Sequence, residues 1–155
     1  MTRLPWLATL LGLAGLLPFL ACGFATVAQH APWGLPALVG YGAVILGFIG
    51  AVHWGVALAP QTPGAGASPE VGRARLLLGA IPALVGWVAL LIPSVAGLIL
   101  LIAGYIAALV VEVAGHRRLL VPPGYMGLRW VLSIVVIAIL VTVLVLHLIG
   151  ARLLF

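Results

Sequence analysis

The chain has 155 residues, of which 65% are hydrophobic and only 6% are charged. Soluble domains carry about 25% charged residues, so this composition excludes a water-soluble fold. The net charge of +5 comes from seven arginines and two glutamates, because the chain has neither lysine nor aspartate. In so apolar a chain this positive excess relates to orientation in a membrane rather than to nucleic-acid binding.

Five stretches are long and apolar enough to be transmembrane helices. A span needs about 20 apolar residues to cross a hydrocarbon core of roughly 30 Å. The sequence therefore predicts an all-α, polytopic integral membrane protein, built as a bundle of five transmembrane helices that forms a single domain over residues 1–155. The predicted spans are 4–27, 37–59, 76–92, 96–115 and 128–149.

The first span has a second interpretation, as a cleaved signal peptide. The residues Phe19-Leu20-Ala21-Cys22 faintly resemble a lipoprotein cleavage site. However, the apolar stretch is longer than the usual signal-peptide core of about 7–15 residues, and the bulky Leu20 precedes the cleavage point. We therefore expect the first span to be retained, with cleavage as the alternative.

The arginines lie mainly on one side of the predicted spans. Cytoplasmic loops are enriched in arginine and lysine, so the pattern predicts a cytoplasmic N-terminus and an outside C-terminus. Because no Arg-rich or Ser-rich stretch typical of a mitochondrial transit peptide precedes the first span, we expect a bacterial cytoplasmic (inner) membrane. Arg117 and Arg118 are expected to contact lipid headgroups. The side with six arginines has Arg3, Arg73, Arg75, Arg117, Arg118 and Arg129, and the other side has Arg152.

Small residues recur every four positions in the second span. Residues at i and i+4 share one face of a helix, so Ala43, Gly47, Ala51 and Gly55 predict a smooth packing face. Small residues let helix backbones approach closely in lipid. We expect this face to pack against another helix of the same chain, and a homo-oligomer or another membrane protein is the alternative partner.

The predicted topology brings several polar residues toward the cytoplasmic leaflet. His53 is near the end of the second span, Glu112 near the end of the fourth, and Arg129 at the start of the fifth. Trp54 and Tyr125 complete this candidate polar cluster. A carboxylate in hydrocarbon is costly and usually has a partner. The cluster is interpreted either as a polar pocket in which Glu112 accepts a proton or ligand, or as an ion pair that positions two helices.

The sequence contains no recognisable catalytic, cofactor-binding or metal-binding motif. Cys22 is the only cysteine, and no Cys/His spacing is typical of a zinc site. Haem ligation would favour two histidines at similar depth on facing helices, and His53 has no such counterpart in the predicted topology. We therefore expect no catalytic residues, no metal and no cofactor.

Several stretches together resemble a known family of bacterial and mitochondrial membrane proteins. They are YGAVILGFIGAVHWG, the later IPALVGW, the acid at Glu112, and PPGYMGLR. The family is the domain-of-unknown-function family 3429, whose members are transmembrane protein 69-like. The resemblance extends from Gly12 to about Ser133, and its most specific parts surround His53 and residues 123–129. It implies a five-helix integral membrane protein and supplies no activity.

Three functional hypotheses follow. The favoured one is a non-enzymatic accessory or assembly subunit of a larger membrane complex, for which a respiratory complex is one candidate. The second is a small proton-linked transporter that uses His53, Glu112 and Arg129. The third is an intramembrane enzyme acting on lipids, which is disfavoured because no nucleophile or metal set accompanies one acid and one histidine. Membrane lipids are expected partners, and nucleic acid is not.

Overall fold

The computed structural model describes residues 6–58, 69–116 and 125–153. The regular structure in these ranges is entirely α-helical. The six helices are α1 (Trp6–Ala14), α2 (Leu16–Val27), α3 (Gly34–Leu58), α4 (Pro69–Leu91), α5 (Ser94–His116) and α6 (Tyr125–Leu153).

Four helical stretches in the described ranges are long and apolar enough to cross a membrane. α4 contributes a shorter apolar stretch, Arg75–Leu91, because its first turns carry charged residues. The prediction of an all-α, multi-pass membrane protein is therefore confirmed, whereas only four of its five spans meet the length and apolarity required. These four are Trp6–Val27, Gly34–Gly55, Ser94–Ala114 and Gly127–Gly150.

A break at Gly15 divides the first predicted span into α1 and α2. Proline has no N–H, so Pro18 cannot donate a hydrogen bond to the carbonyl of Ala14, four residues earlier. The helix is interrupted next to that missing bond. The Tyr41 hydroxyl of α3 donates to the Gly15 carbonyl at 2.9 Å, so the break is tied to the neighbouring helix.

α3 is the central helix of the bundle. It packs against α2, α4 and α5, and 44% of its most apolar window is buried, against 22% for each of the other three candidate spans. Beside it, Phe19 makes edge-to-face contacts with Tyr41 and Tyr105, with ring centroids 4.9 and 6.5 Å apart. The fully buried Tyr105 donates its hydroxyl to the Gly42 carbonyl at 2.9 Å. These contacts join α2, α3 and α5.

The contact between α3 and α4 depends on glycine. A Cβ added at Gly50 would lie 3.2 Å from the carbonyl carbon of Gly79, and one at Gly86 would lie 2.8 Å from the carbonyl oxygen of Ala43. In both cases the obstacle is backbone, which has little freedom to move. The two helices therefore approach so closely that their backbones are nearly in contact, as small residues permit in a membrane.

Of the four residues predicted to form the packing face, only two lie at the interface between α3 and α4. Ala43 and Gly47 face α4, whereas Ala51 and Gly55 are exposed, and a Cβ at Gly55 would have open space around it. The reason is geometric. A four-residue step rotates by about 40° on a helix of 3.6 residues per turn, so the row turns away from α4. Gly50, three residues after Gly47, brings the contact face back.

Candidate functional site

The structure brings His53, Glu112 and Arg129 together between α3, α5 and α6. Arg129 donates from Nε to Glu112 Oε2 at 2.8 Å and from Nη2 to Glu112 Oε1 at 3.3 Å. His53 Nε2 lies 3.4 Å from the same Oε1. Both carboxylate oxygens are thus engaged by basic side chains from two other helices. We call these three residues the Glu112 cluster.

The side chains of the Glu112 cluster are almost completely buried. The exposed fractions are 6% for His53, 3% for Glu112 and 4% for Arg129. A two-point pairing between a guanidinium and a carboxylate is among the stronger hydrogen-bonded contacts in proteins. Because each charge of this pair would be severely destabilised alone in an apolar interior, the arrangement holds α5 and α6 in one relative position.

Helix ends explain how three distant sequence positions reach one point. Glu112 lies one turn before the end of α5 at His116, and Arg129 lies one turn after the start of α6 at Tyr125. Consecutive helices that run in opposite directions bring these two ends together. His53 lies within two turns of the end of α3, so it reaches the same level of the bundle.

Trp54, the next residue after His53, belongs to a different contact. Successive residues on a helix differ by about 100°, so its side chain points to α4. Its indole Nε1 donates to the Leu76 carbonyl at 2.8 Å, and the ring occupies the space where Gly79 has no side chain. Trp54 therefore lies at the α3–α4 interface, 45% exposed, and not in the Glu112 cluster.

The remaining predicted residues are not placed by the structure. Tyr125 is the first residue of α6, but its side chain is not among those described. Arg117 and Arg118, the predicted headgroup contacts, lie outside the described residues.

Sequence reasoning missed the burial of Arg75. The predicted third span begins at residue 76 and leaves Arg75 outside it, yet α4 begins at Pro69 and Arg75 is only 9% exposed within it. Arg73, two residues earlier, is exposed. A signal was present, because proline favours the first position of a helix and an acidic residue such as Glu70 favours its first turn.

Two cavities border the Glu112 cluster. The smaller, of about 130 Å³, lies between α3, α4 and α5 and is lined by His53 and Glu112. The larger, of about 420 Å³, is lined by Arg129 and Ser133 of α6 and by apolar residues of α1, α2 and α3. We call the larger one the Arg129 cavity. Its volume falls in the range of about 300–1,000 Å³ that is usual for ligand pockets.

Metal ligation has no obvious support at this site. Within the described ranges, no group of three or more histidine, cysteine, aspartate or glutamate side chains is placed so that it could hold a metal ion. The chemistry that the arrangement offers is hydrogen bonding and ion pairing.

The family described as "Protein of unknown function (DUF3429)" matches residues 4–145, which is most of the chain. The chain belongs to the DUF3429 family. The resemblance inferred from the sequence is therefore confirmed, and all three residues of the Glu112 cluster lie within the DUF3429 match. The chain is also similar to a protein of Xenopus tropicalis called Transmembrane protein 69, at 40% identity over 86 residues.

The similarity to the frog protein is partial. It covers 54% of this DUF3429 chain and 32% of the relative, so the matched segment spans about a third of that protein's length. No solved structure matches the chain. Together with the candidate membrane spans, the two matches identify a multi-pass membrane protein of a family without an assigned activity.

Proposed function

We propose that this protein is a non-enzymatic accessory or assembly subunit of a larger membrane complex, with a respiratory complex as one candidate. The observation that carries the proposal is the engagement of both Glu112 oxygens by basic side chains of the same chain. A carboxylate held in this way joins helices, because both of its oxygens take part in ion pairs with side chains of two other helices. The Glu112 cluster then holds α3, α5 and α6 together in a rigid apolar scaffold.

α4 supplies a surface suited to a partner helix. Several of its large apolar side chains are exposed and recur at intervals of four and three residues, the spacing found along seams between packed helices. α4 packs against α3 and α5 only, so this row is uncovered within the described chain. We propose that a transmembrane helix of the partner protein lies along it. The row consists of Leu77, Ile81, Leu84, Val88 and Leu91.

Native mass spectrometry of the tagged protein, extracted from its own membranes in mild detergent, tests this proposal. We expect one membrane protein to be retained in stoichiometric amount, and Leu84→Trp to reduce that retention about tenfold. Leu146→Trp is the matched control, since Leu146 is exposed on α6 and should leave retention unchanged. A lone monomer or homodimer, or equal retention in both variants, would contradict the proposal.

A second candidate function is a small proton-linked transporter. The specific observation in its favour is the cavity of about 130 Å³ that His53 and Glu112 line together. A small molecule in this cavity could exchange a proton with the acid or the base beside it. This candidate requires that Glu112→Gln abolish proton or solute flux in liposomes. Undiminished flux in that variant would exclude the transporter function.

The orientation proposed for the chain follows from its arginines. We place the protein in a bacterial cytoplasmic membrane with five crossings, α4 making the shortest one, a cytoplasmic N-terminus and an outside C-terminus. The six-to-one distribution of arginines supports this orientation. A reporter that is active only outside the cytoplasm, fused after Phe155, is expected to be active. Fluorescence from a reporter that matures only in the cytoplasm, fused at the same point, would reverse the assignment.

A further inference from the structure

The Arg129 cavity lies beside the break at Gly15, which is one of its lining residues. Beyond that break, α1 packs against α2 and α6, and within the described residues its backbone does not approach α3. An opening is left between α1 and α3, with Leu11 and Phe48 at its rim, both more than half exposed. Because α1 and α3 both belong to candidate membrane spans, this opening faces the lipid.

One polar group at the floor of the cavity has an unused hydrogen-bonding capacity. Ser133 lines the cavity and is 1% exposed, yet its hydroxyl has no hydrogen-bond partner among the described residues. A serine within a helix commonly donates to the carbonyl four residues earlier, which here is that of Arg129, and no such bond is made. A buried hydroxyl without a partner is unfavourable, so a ligand atom that accepts its proton would be stabilised.

Arg129 adds further donors to the same floor. A guanidinium has five N–H groups, and Glu112 accepts from Nε and from one N–H of Nη2. The remaining N–H groups belong to a side chain that lines the cavity. Since Ser133 and Arg129 both donate, the matching ligand group is an acceptor oxygen. Glu112 already balances the charge of Arg129, which favours a neutral carbonyl over a carboxylate or phosphate.

We propose that the Arg129 cavity binds a lipid through a neutral carbonyl oxygen. Ser133 and Arg129 donate to that oxygen, and the lipid's apolar chain lies along α1 and α3 and leaves through the opening. Two sources carry this chemistry, the ester group of a glycerolipid and the ring carbonyl of an isoprenoid quinone. The proposal goes beyond the accessory-subunit role and does not depend on it.

The experiment compares two lipids that differ only in the ester carbonyl and adds a quinone as a third probe. Purified protein is titrated with ester-linked phosphatidylcholine, with its ether-linked analogue of the same chains, and with decyl-benzoquinone, and occupancy is read by native mass spectrometry. We expect the ester lipid, the quinone or both to bind about three- to tenfold more tightly than the ether lipid, as loss of one hydrogen bond implies. Ser133→Ala should remove most of that preference while leaving the volume of the site nearly unchanged.

Two variants of α1 test the location. Ala8 lines the cavity and Ala14 is exposed outside it, so Ala8→Trp should displace the bound probe and Ala14→Trp should not. A preference for the ester assigns the site to a glycerolipid, and a preference for the quinone assigns it to a quinone. Equal binding of all three probes, an ester or quinone preference that survives Ser133→Ala, or identical binding by Ala8→Trp and Ala14→Trp would overturn the proposal. None of these readouts requires a protein partner.

Discussion

Replacing Glu112 with alanine is expected to destabilise the folded protein by about 3–5 kcal/mol, the usual cost of removing one partner from a buried ion pair. The substitution leaves Arg129, 4% exposed, without the carboxylate to which it donates two hydrogen bonds. Reversible unfolding by titration with a denaturing detergent, followed by circular dichroism, measures the change. The stability of Glu112→Gln should lie between those of the wild-type protein and Glu112→Ala, because the amide keeps the shape and one acceptor oxygen but loses the charge.

The double variant Glu112→Leu/Arg129→Met is the decisive control. Replacing a whole buried pair by apolar residues of similar size is often neutral or stabilising, so the double variant should be much more stable than Glu112→Ala. If it is instead as unstable as the single variant, the Glu112 cluster contributes more than charge compensation. If Glu112→Ala leaves stability unchanged, the ion pair does not hold α5 against α6.

Gly50→Ala and Gly86→Ala are each expected to destabilise the protein by about 1–3 kcal/mol, the usual cost of overpacking a tight contact. In each variant the new methyl group meets backbone of the facing helix, at Gly79 or at Ala43, so α3 and α4 must separate. The same detergent titration measures the loss of stability. Trp54 fluorescence gives a second readout once the other four tryptophans are replaced by phenylalanine, because the Trp54 indole is bonded to α4.

Gly55→Ala is the matched control for the glycine series. Gly55 lies on the same helix as Gly50, but a Cβ added there would meet nothing within 4 Å. Alanine is favoured over glycine in a helix by about 0.5–1 kcal/mol, so this variant should be neutral or slightly stabilised. Equal losses at Gly50 and Gly55 would mean that the close approach of α4 does not determine the result, because helix propensity favours alanine at both positions.

The location of the Glu112 cluster could be predicted because it depends on few assumptions. Alternating helix directions and distances from helix ends suffice to place His53, Glu112 and Arg129 at one level of the bundle. Helix rotation requires more information, since it decides which neighbour a side chain meets. Trp54, predicted to be in the cluster, therefore lies against α4 instead, and Ala51 and Gly55 lie outside the contact that Ala43 and Gly47 make.

The features that sequence reasoning missed depend on tertiary structure. The break at Gly15 follows from the proline three residues later, but where α1 then packs depends on α6. Residues of α1 and α6 both line the Arg129 cavity, so its position could not be predicted without that packing. Ser133 gave no signal of its own, since a serine in an apolar helix usually bonds within the helix. Arg75 lies outside the predicted span because a charged stretch before an apolar one is compatible with a loop and with the first turns of a helix.

The distribution of the Glu112 cluster over three helices has a consequence for biogenesis. His53 and Glu112 belong to α3 and α5, which leave the ribosome before α6 with Arg129. Until α6 inserts, His53 is the only basic residue of the Glu112 cluster beside the carboxylate, and a nascent chain halted at that stage lacks the guanidinium that balances its charge. Insertion of α6 removes this defect. A single ion pair therefore distinguishes a finished molecule from an arrested one.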